Sequence, residues 1–286
     1  MITADDPAPT PHAPRPLTVD LHHEQTSPRE WARELWKTRA LVAVLTRKEF
    51  HTRYRRVSFG ILWALILPFM QATIIVVVLS HVIKLHSGTH YGVFVLSGVV
   101  PWAFFTSAFS AGATAIVDNV GLASRVYFPR VVLVIVQVAQ ALYALGISLV
   151  IVLVLSPVLG VAPTFRVLLI VPASLLLIGV ILSMCMILSA LHVYFRDIRY
   201  LVGAAMLVWF YVTPIIYPLS VAPKAIRPLI NINPVTGPID LFRYAFVGPQ
   251  ADLGVAVVVS LIWTAVCFTI GVYLQARRDR VFADRL

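Results

Sequence analysis

The chain has 286 residues, 59% of them apolar and 13% charged, with a mean hydropathy of +0.86 and a formal net charge of +10. A soluble domain cannot bury that much apolar side chain, so the composition excludes a soluble enzyme or binding module and defines a membrane protein. The basic residues gather at the two ends and in short loops. That pattern suits the anionic cytoplasmic leaflet and argues against a nucleic-acid partner.

In chain order, residues 1–26 are Pro-rich and polar, carry Asp5 and Asp6, and hold no apolar stretch. They read as a disordered cytoplasmic tail rather than a signal peptide. Residues 27–56 read as an amphipathic interface helix. Ser27, Pro28 and Glu30 form a capping box with Pro at the first helical position. Trp31, Leu35, Val42 and Leu45 then recur at helical spacing, with Arg29, Arg33 and Lys37 on another face. Tryptophan with basic residues suits the membrane interface; packing on a soluble partner is the other reading.

Residues 57–276 form the transmembrane domain. The uncharged runs Val57–Ile83, Leu85–Val117, Val131–Phe165, Val167–Phe195, Tyr200–Pro223 and Leu253–Ala276 each exceed the roughly 20 residues a helix needs to cross about 30 Å of hydrocarbon. Spans are predicted at about 58–83, 93–117, 131–155, 167–191, 200–219 and 253–275, followed by a cytoplasmic tail, 277–286. Long Val/Leu/Ile runs lack the alternation of a β-barrel. The stretch Asp118–Arg130 mixes charge with a helical pattern. The stretch Pro214–Asp252 is broken by prolines and could hold two short helices that dip back into the membrane. The fold class is therefore an all-α membrane protein of six transmembrane helices, with an N-terminal interfacial helix and short outer re-entrant helices between spans five and six. With both termini cytoplasmic, eighteen of the 23 Lys and Arg lie inside.

Catalytic chemistry is hard to place on this chain. No Asp or Glu falls within the six predicted spans, and His81 and His192 lie near span ends. Intramembrane Gln71, Gln137 and Gln140 could join helices or line a path. The sequence has no G-x-x-x-x-G-K-[ST] loop, no metal-ligand cluster and no nucleophile elbow. Cys185 and Cys267 read as buried small residues. The chain is thus expected to be no enzyme by itself, to bind no cofactor or metal, and to draw energy from a partner.

Several spaced signatures resemble one family, the ABC-2 type permeases that export polysaccharide, over roughly residues 28–280. Leu45-Thr46-Arg47-Lys48-Glu49-Phe50, Arg53-Tyr54-Arg55 and Gly60-Ile61-Leu62-Trp63 with Pro68 resemble its basic lead-in and first span. Lys48-Glu49 stands where the family commonly has Arg-Asp, which keeps the sign pattern. Tyr127-Phe128-Pro129-Arg130 and Arg196-Asp197-Ile198-Arg199 resemble its cytoplasmic loops. Pro214-Ile215-Ile216-Tyr217-Pro218, Asn233-Pro234 and Arg243 resemble its outer region.

The resemblance implies a bacterial inner (plasma) membrane location and a homodimer with two copies of a separate ATPase, which would bind the ATP and Mg. It implies a lipid-linked polysaccharide as cargo. Asp118, Asn119, Leu122, Arg125, Tyr127, Phe128, Pro129 and Arg130 are then the expected ATPase-coupling residues, and Arg196, Asp197 and Arg199 the second cytoplasmic loop. Arg53, Arg55 and Arg56 are candidate ligands for lipid phosphate, since Arg pairs bidentately with phosphate, although positive-inside topology alone also accounts for them. Trp63, Phe104, Phe105, Trp209, Phe210 and Tyr211 are candidates for a glycan path, because aromatic faces suit the C–H faces of sugars. The Ala-, Val- and Arg-rich composition tilts the cargo towards galactan. The alternatives are an ABC-2 permease for a drug or glycolipid, or a membrane-embedded lipid-sugar transferase. The transferase would need a carboxylate or His constellation that Asp118, Asp197 and Asp240 do not form.

Overall fold

The computed structural model describes residues 28–55, 59–82, 90–123, 128–223, 225–250 and 252–278. The predicted tail 1–26, residues 279–286 of the predicted tail 277–286, the cap Ser27, and Arg56, Arg125 and Tyr127 lie outside the described residues. All regular structure in the described residues is helical. Its α-helices in chain order are α1 (Pro28–Lys37), α2 (Arg39–Tyr54), α3 (Leu62–Val77), α4 (Tyr91–Asp118), α5 (Val120–Ala123), α6 (Val131–Val158), α7 (Ile170–His192), α8 (Ile198–Val212), α9 (Arg227–Asn231), α10 (Thr236–Phe246) and α11 (Leu253–Arg278), with a π-helical turn at Val78–Val82 and 3-10 turns at Phe165–Leu169 and Leu219–Val221.

Five stretches among the described residues are long and apolar enough to cross a membrane: Leu62–Ser80, Tyr91–Asp118, Val131–Val158, Phe165–His192 and Leu253–Arg277. The expected fifth span differs. The run was predicted to continue to residue 219, but α8 has 15 residues and ends at Val212. At 1.5 Å per residue it is about 22 Å long, short of a full crossing. The cause is Pro214, which disfavours helical backbone at the residue before it. Thr213 is accordingly extended, at φ −79° and ψ 133°. The predicted interface helix is also interrupted, with Thr38 separating α1 from α2 and its hydroxyl returned to the Leu35 carbonyl at 2.7 Å.

Helix α4 is the hub. It packs on α3, α6, α7, α8 and α10, and 20 of its 28 residues are buried, against three of 16 in α3. Lipid is as apolar as leucine, so burial of α4 is held by close packing and hydrogen bonds rather than by water exclusion. The core on α4 is aromatic: Trp102, Phe105 and Phe109 lie with ring centroids 5.1–5.2 Å apart in sequence order. Cys185 and Cys267 are both free and buried. Helix α10 is nearly all buried, against α4, α7 and α11. It crosses α11 so closely that a Cβ at Gly237 would lie 2.5 Å from the Ala256 carbonyl oxygen.

Candidate functional site

Two places on this frame concentrate polar contacts. The first is the C-terminal end of α8, where the helix break frees backbone groups that must find partners inside the protein. Three elements supply them. Trp209 Nε1 donates to Asn233 Oδ1 at 2.9 Å, and Asn233 Nδ2 donates to Thr213 Oγ1 at 2.8 Å. Arg243 Nη2 donates to the Ile215 carbonyl at 2.6 Å, and Tyr91 Oη donates to the Ile216 carbonyl at 2.7 Å. The stretch after α8 is therefore pinned from α4, from α10 and from the turn before α10.

Arg243 and Asp240 are the centre of that cluster. Both are buried, with Nη1 3.2 Å from Oδ1 one helical turn away. The Arg243 guanidinium also lies 4.0 Å from the centroid of the Phe94 ring. Gly98 makes room for it: a Cβ there would be 3.1 Å from Nη2 and 3.2 Å from the Ile215 carbonyl oxygen, so a larger residue would have to displace them by a few tenths of an ångström. Burial pushes the Asp240 carboxyl up to about 6, against the pull of Arg243, and lowers the Arg243 guanidinium below its ordinary range. The sequence places both charges in the proline-broken stretch that could hold short helices dipping back into the membrane, and α10 is such a short helix, folded into the bundle. Their i, i+3 spacing was the available signal.

The second place is where the end of α4 meets the start of α8. Asp118, at the end of α4, forms an ion pair with Arg199, at the start of α8, and also accepts from Thr114 Oγ1 at 2.7 Å. Two predicted loop regions thus meet through one partly exposed pair. Asn119 Nδ2 donates to the Ala115 carbonyl at 2.9 Å, closing the end of α4. Leu122 is half-buried, whereas Phe128, Pro129 and Arg130 are buried. Phe128 packs in the main core, so its ring anchors the segment from within instead of presenting a surface. Arg196 and Asp197 are exposed. Nearby, Gln137 Nε2 donates to Glu49 Oε1 at 3.4 Å and ties α6 to α2, while Gln140 is fully buried.

The expected glycan-path rings separate into groups. Phe105 is completely enclosed and Phe104 nearly so, which gives Phe105 no face for a path on the surface of one copy. Trp209 is half-buried, with its ring edge-on to Phe105 and Phe109. Phe210 and Tyr211 instead border an open furrow of about 430 Å³ between α3 and α8, facing Leu67, Met70 and Ile74. Trp63 is exposed on α3, and Gln71 lines the same furrow. Arg53 and Arg55 are exposed at the end of α2. No cluster of three or more His, Cys, Asp or Glu that could hold a metal occurs among the described residues.

A bundle of long apolar helices around a buried hub, with a broken helix pinned at one end and charged loops bridged at the other, defines a multi-pass membrane protein. Residues 40–247 match the model of the ABC-2 type transporter family, and the chain belongs to that family. It is 32% identical over 241 residues to an O-antigen export system permease protein of Myxococcus xanthus, covering 82% of this chain and 92% of that one. A protein of the same description from Klebsiella pneumoniae is 25% identical, with 80% and 88% covered. A polysialic acid transport protein of Escherichia coli is 22% identical, with 83% and 93% covered.

Proposed function

We propose that this chain is the permease subunit of an ATP-driven exporter that moves a lipid-linked polysaccharide, with galactan the favoured cargo, from the cytoplasmic to the outer face of a bacterial plasma membrane. The observation that carries this reading is the similarity to O-antigen export permeases along nearly their whole length. The chain works as a homodimer with two copies of a nucleotide-binding subunit, consistent with the two-fold symmetry usual for such assemblies. Helices α3 and α8 face the second copy, because both expose large apolar side chains and an open furrow runs between them. Helices α1 and α2 lie at the inner interface, with Arg53 and Arg55 positioned to meet a lipid phosphate. Nucleotide binding closes the motor, pushes the segment from Asp118 to Arg130, and parts α3 from α8.

The purified chain alone should show no ATP turnover, since it lacks a phosphate-binding loop. Adding the cognate motor subunit should bring turnover and transfer of lipid-linked glycan into sealed vesicles. Steady nucleotide hydrolysis by the rigorously partner-free chain would overturn the assignment.

The Asp118–Arg199 bridge gives a second test. A partly exposed pair contributes about 0–1 kcal/mol, so Asp118→Asn or Arg199→Gln should leave thermal unfolding almost unchanged. In the exporter, each should lower transport per ATP hydrolysed, because the ends of α4 and α8 no longer move together. The charge-swapped pair Asp118→Arg with Arg199→Asp should recover much of the loss. Full transport by both single variants would separate this bridge from coupling.

A further inference from the structure

Helix α3 is held to the bundle by a narrow seam. Only Leu65, Pro68 and Ala72 are buried, and the helix packs chiefly on α4. Pro68 stands inside α3 and has no N–H to give to the Ala64 carbonyl, which makes it a point where the helix can bend. Just ahead of α3, Gly60 takes the left-handed backbone that favours glycine, at φ +51°. Residues 62–67 thus lie between two points of backbone freedom, with Leu65 as their buried anchor.

Behind this segment is a partly enclosed cavity of about 220 Å³ between α3, α4 and α6. Ala64 and Pro68 both line it, and Ala103, Ala141 and Ala144 are small enough to leave the room. Three hydroxyls line it as well: Tyr54 at the end of α2, Ser107 of α4 and Ser148 of α6. None of them has a hydrogen-bond partner among the described residues. Ser148 is only 4% exposed, yet its oxygen is not sealed off and opens on the cavity. Among the described residues no charged side chain lines this space.

Unpartnered polar groups inside a protein are costly, and this cavity is polar and large enough to hold several water molecules. A hydrocarbon chain would leave the three hydroxyls and the Ala64 carbonyl without partners, and an ion would meet no counter-charge. We propose that the cavity is filled with water and is the hinge space of α3, into which residues 62–67 swing about Pro68. Leu67 borders both this cavity and the furrow between α3 and α8. A swing towards α6 therefore expels the water and widens the furrow. Hydration and hinge belong to the chain alone, whereas their use in opening the furrow rests on the exporter reading above.

The test uses the full chain in nanodiscs. X-ray-generated hydroxyl radicals, read by mass spectrometry, label buried side chains where bound water lies beside them. Phe104 and Leu145 line the cavity and are 5% and 4% exposed, whereas Phe105 and Leu177 are fully buried away from it. Phe104 should be labelled about tenfold faster than Phe105, and Leu145 than Leu177. Ala144→Leu, which fills the cavity, should remove both differences. Spin labels at exposed Ile66 or Val77, each paired with one at exposed Val154 of α6, read the hinge. They are placed in a chain with Cys185→Ala and Cys267→Ala, diluted with unlabelled copies. The distance distribution should be about twice as wide for Ile66 as for Val77, and Pro68→Ala should narrow it to the Val77 width. Labelling of Phe104 no faster than of Phe105, labelling that survives Ala144→Leu, or equal widths at Ile66 and Val77 would each overturn the proposal. The two comparisons without Ala144→Leu or Pro68→Ala decide it even where those variants fail to fold. A hydrated cavity and a wide Ile66 distribution, with full transport by Pro68→Ala, would keep the hinge and remove only its use in opening the furrow.

Discussion

Replacing Arg243 by Ala should destabilise the folded chain by about 3–5 kcal/mol, because it leaves the Asp240 carboxylate buried without its counter-charge. It also takes the donor from the Ile215 carbonyl and empties the space beside Gly98. Thermal unfolding in detergent or nanodiscs measures the loss, and the double variant with Asp240→Asn should recover part of it. The loss should depend on pH. In the native chain the Asp240 carboxyl is already raised above its ordinary value, so the folded state holds that proton more tightly than the unfolded state does. Stability from such a group is complete below the unfolded pKa and lost as pH rises through the folded one. Removing Arg243 takes away the influence that lowers it, so the deficit should be smaller near about pH 5 than near about pH 8. A pH-independent deficit, or none, would contradict the role of this pair.

Trp209→Ala should also cost about 3 kcal/mol, the low end for large-to-small aromatic changes, because the ring is half-buried. The indole packs edge-on to Phe105 and Phe109, and its loss strips Asn233 of a donor that helps hold the broken end of α8. Tyr211→Ala should differ sharply. That ring is 68% exposed, so the substitution should change stability by no more than about 0.5 kcal/mol. Under the exporter reading its effect belongs instead to transport: Tyr211 borders the α3–α8 furrow, where the second copy and the cargo path would lie. Glycan transfer into vesicles should fall for Tyr211→Ala while assembly and basal ATP turnover persist, with Phe210→Ala between the two. Normal transfer by both Tyr211→Ala and Phe210→Ala would take the furrow out of the path. The contrast follows from helix geometry, since neighbouring positions point about 100° apart and three consecutive rings cannot share one face.

Much of this architecture is legible in the sequence because lipid leaves the backbone few choices. A chain in hydrocarbon must satisfy its own N–H and C=O groups, so an uncharged apolar run of sufficient length becomes a helix whatever its neighbours are. Helices α4, α6 and α11 fall on such runs. Family membership was likewise legible, since it rests on short polar signatures at the helix ends, such as Arg196-Asp197-Ile198-Arg199. Pro214 carried the end of α8 in plain view, but a hydropathy count runs through a proline because it registers transfer energy and not backbone angles.

Which residues meet was decided by the tertiary structure. Hydropathy gives Trp209 and Tyr211 similar places on one helix, yet one ring is packed on the α4 aromatics and the other opens on a furrow. Phe128 looks like a loop aromatic, yet it belongs to the core. Asp240 and Arg243 sit in a proline-broken stretch whose sequence allows short helices but does not show what they pack on, and α10 carries both residues into the bundle. The sequence by itself determined that the chain forms apolar helices, because that outcome depends on each segment's own exchange between lipid and backbone hydrogen bonds. The pairing of Arg243 with the distant Ile215 carbonyl was decided only in three dimensions, because an unpartnered polar group inside the bundle is costly, and the exposed Asp118–Arg199 pair forms only because packing brings the ends of α4 and α8 together.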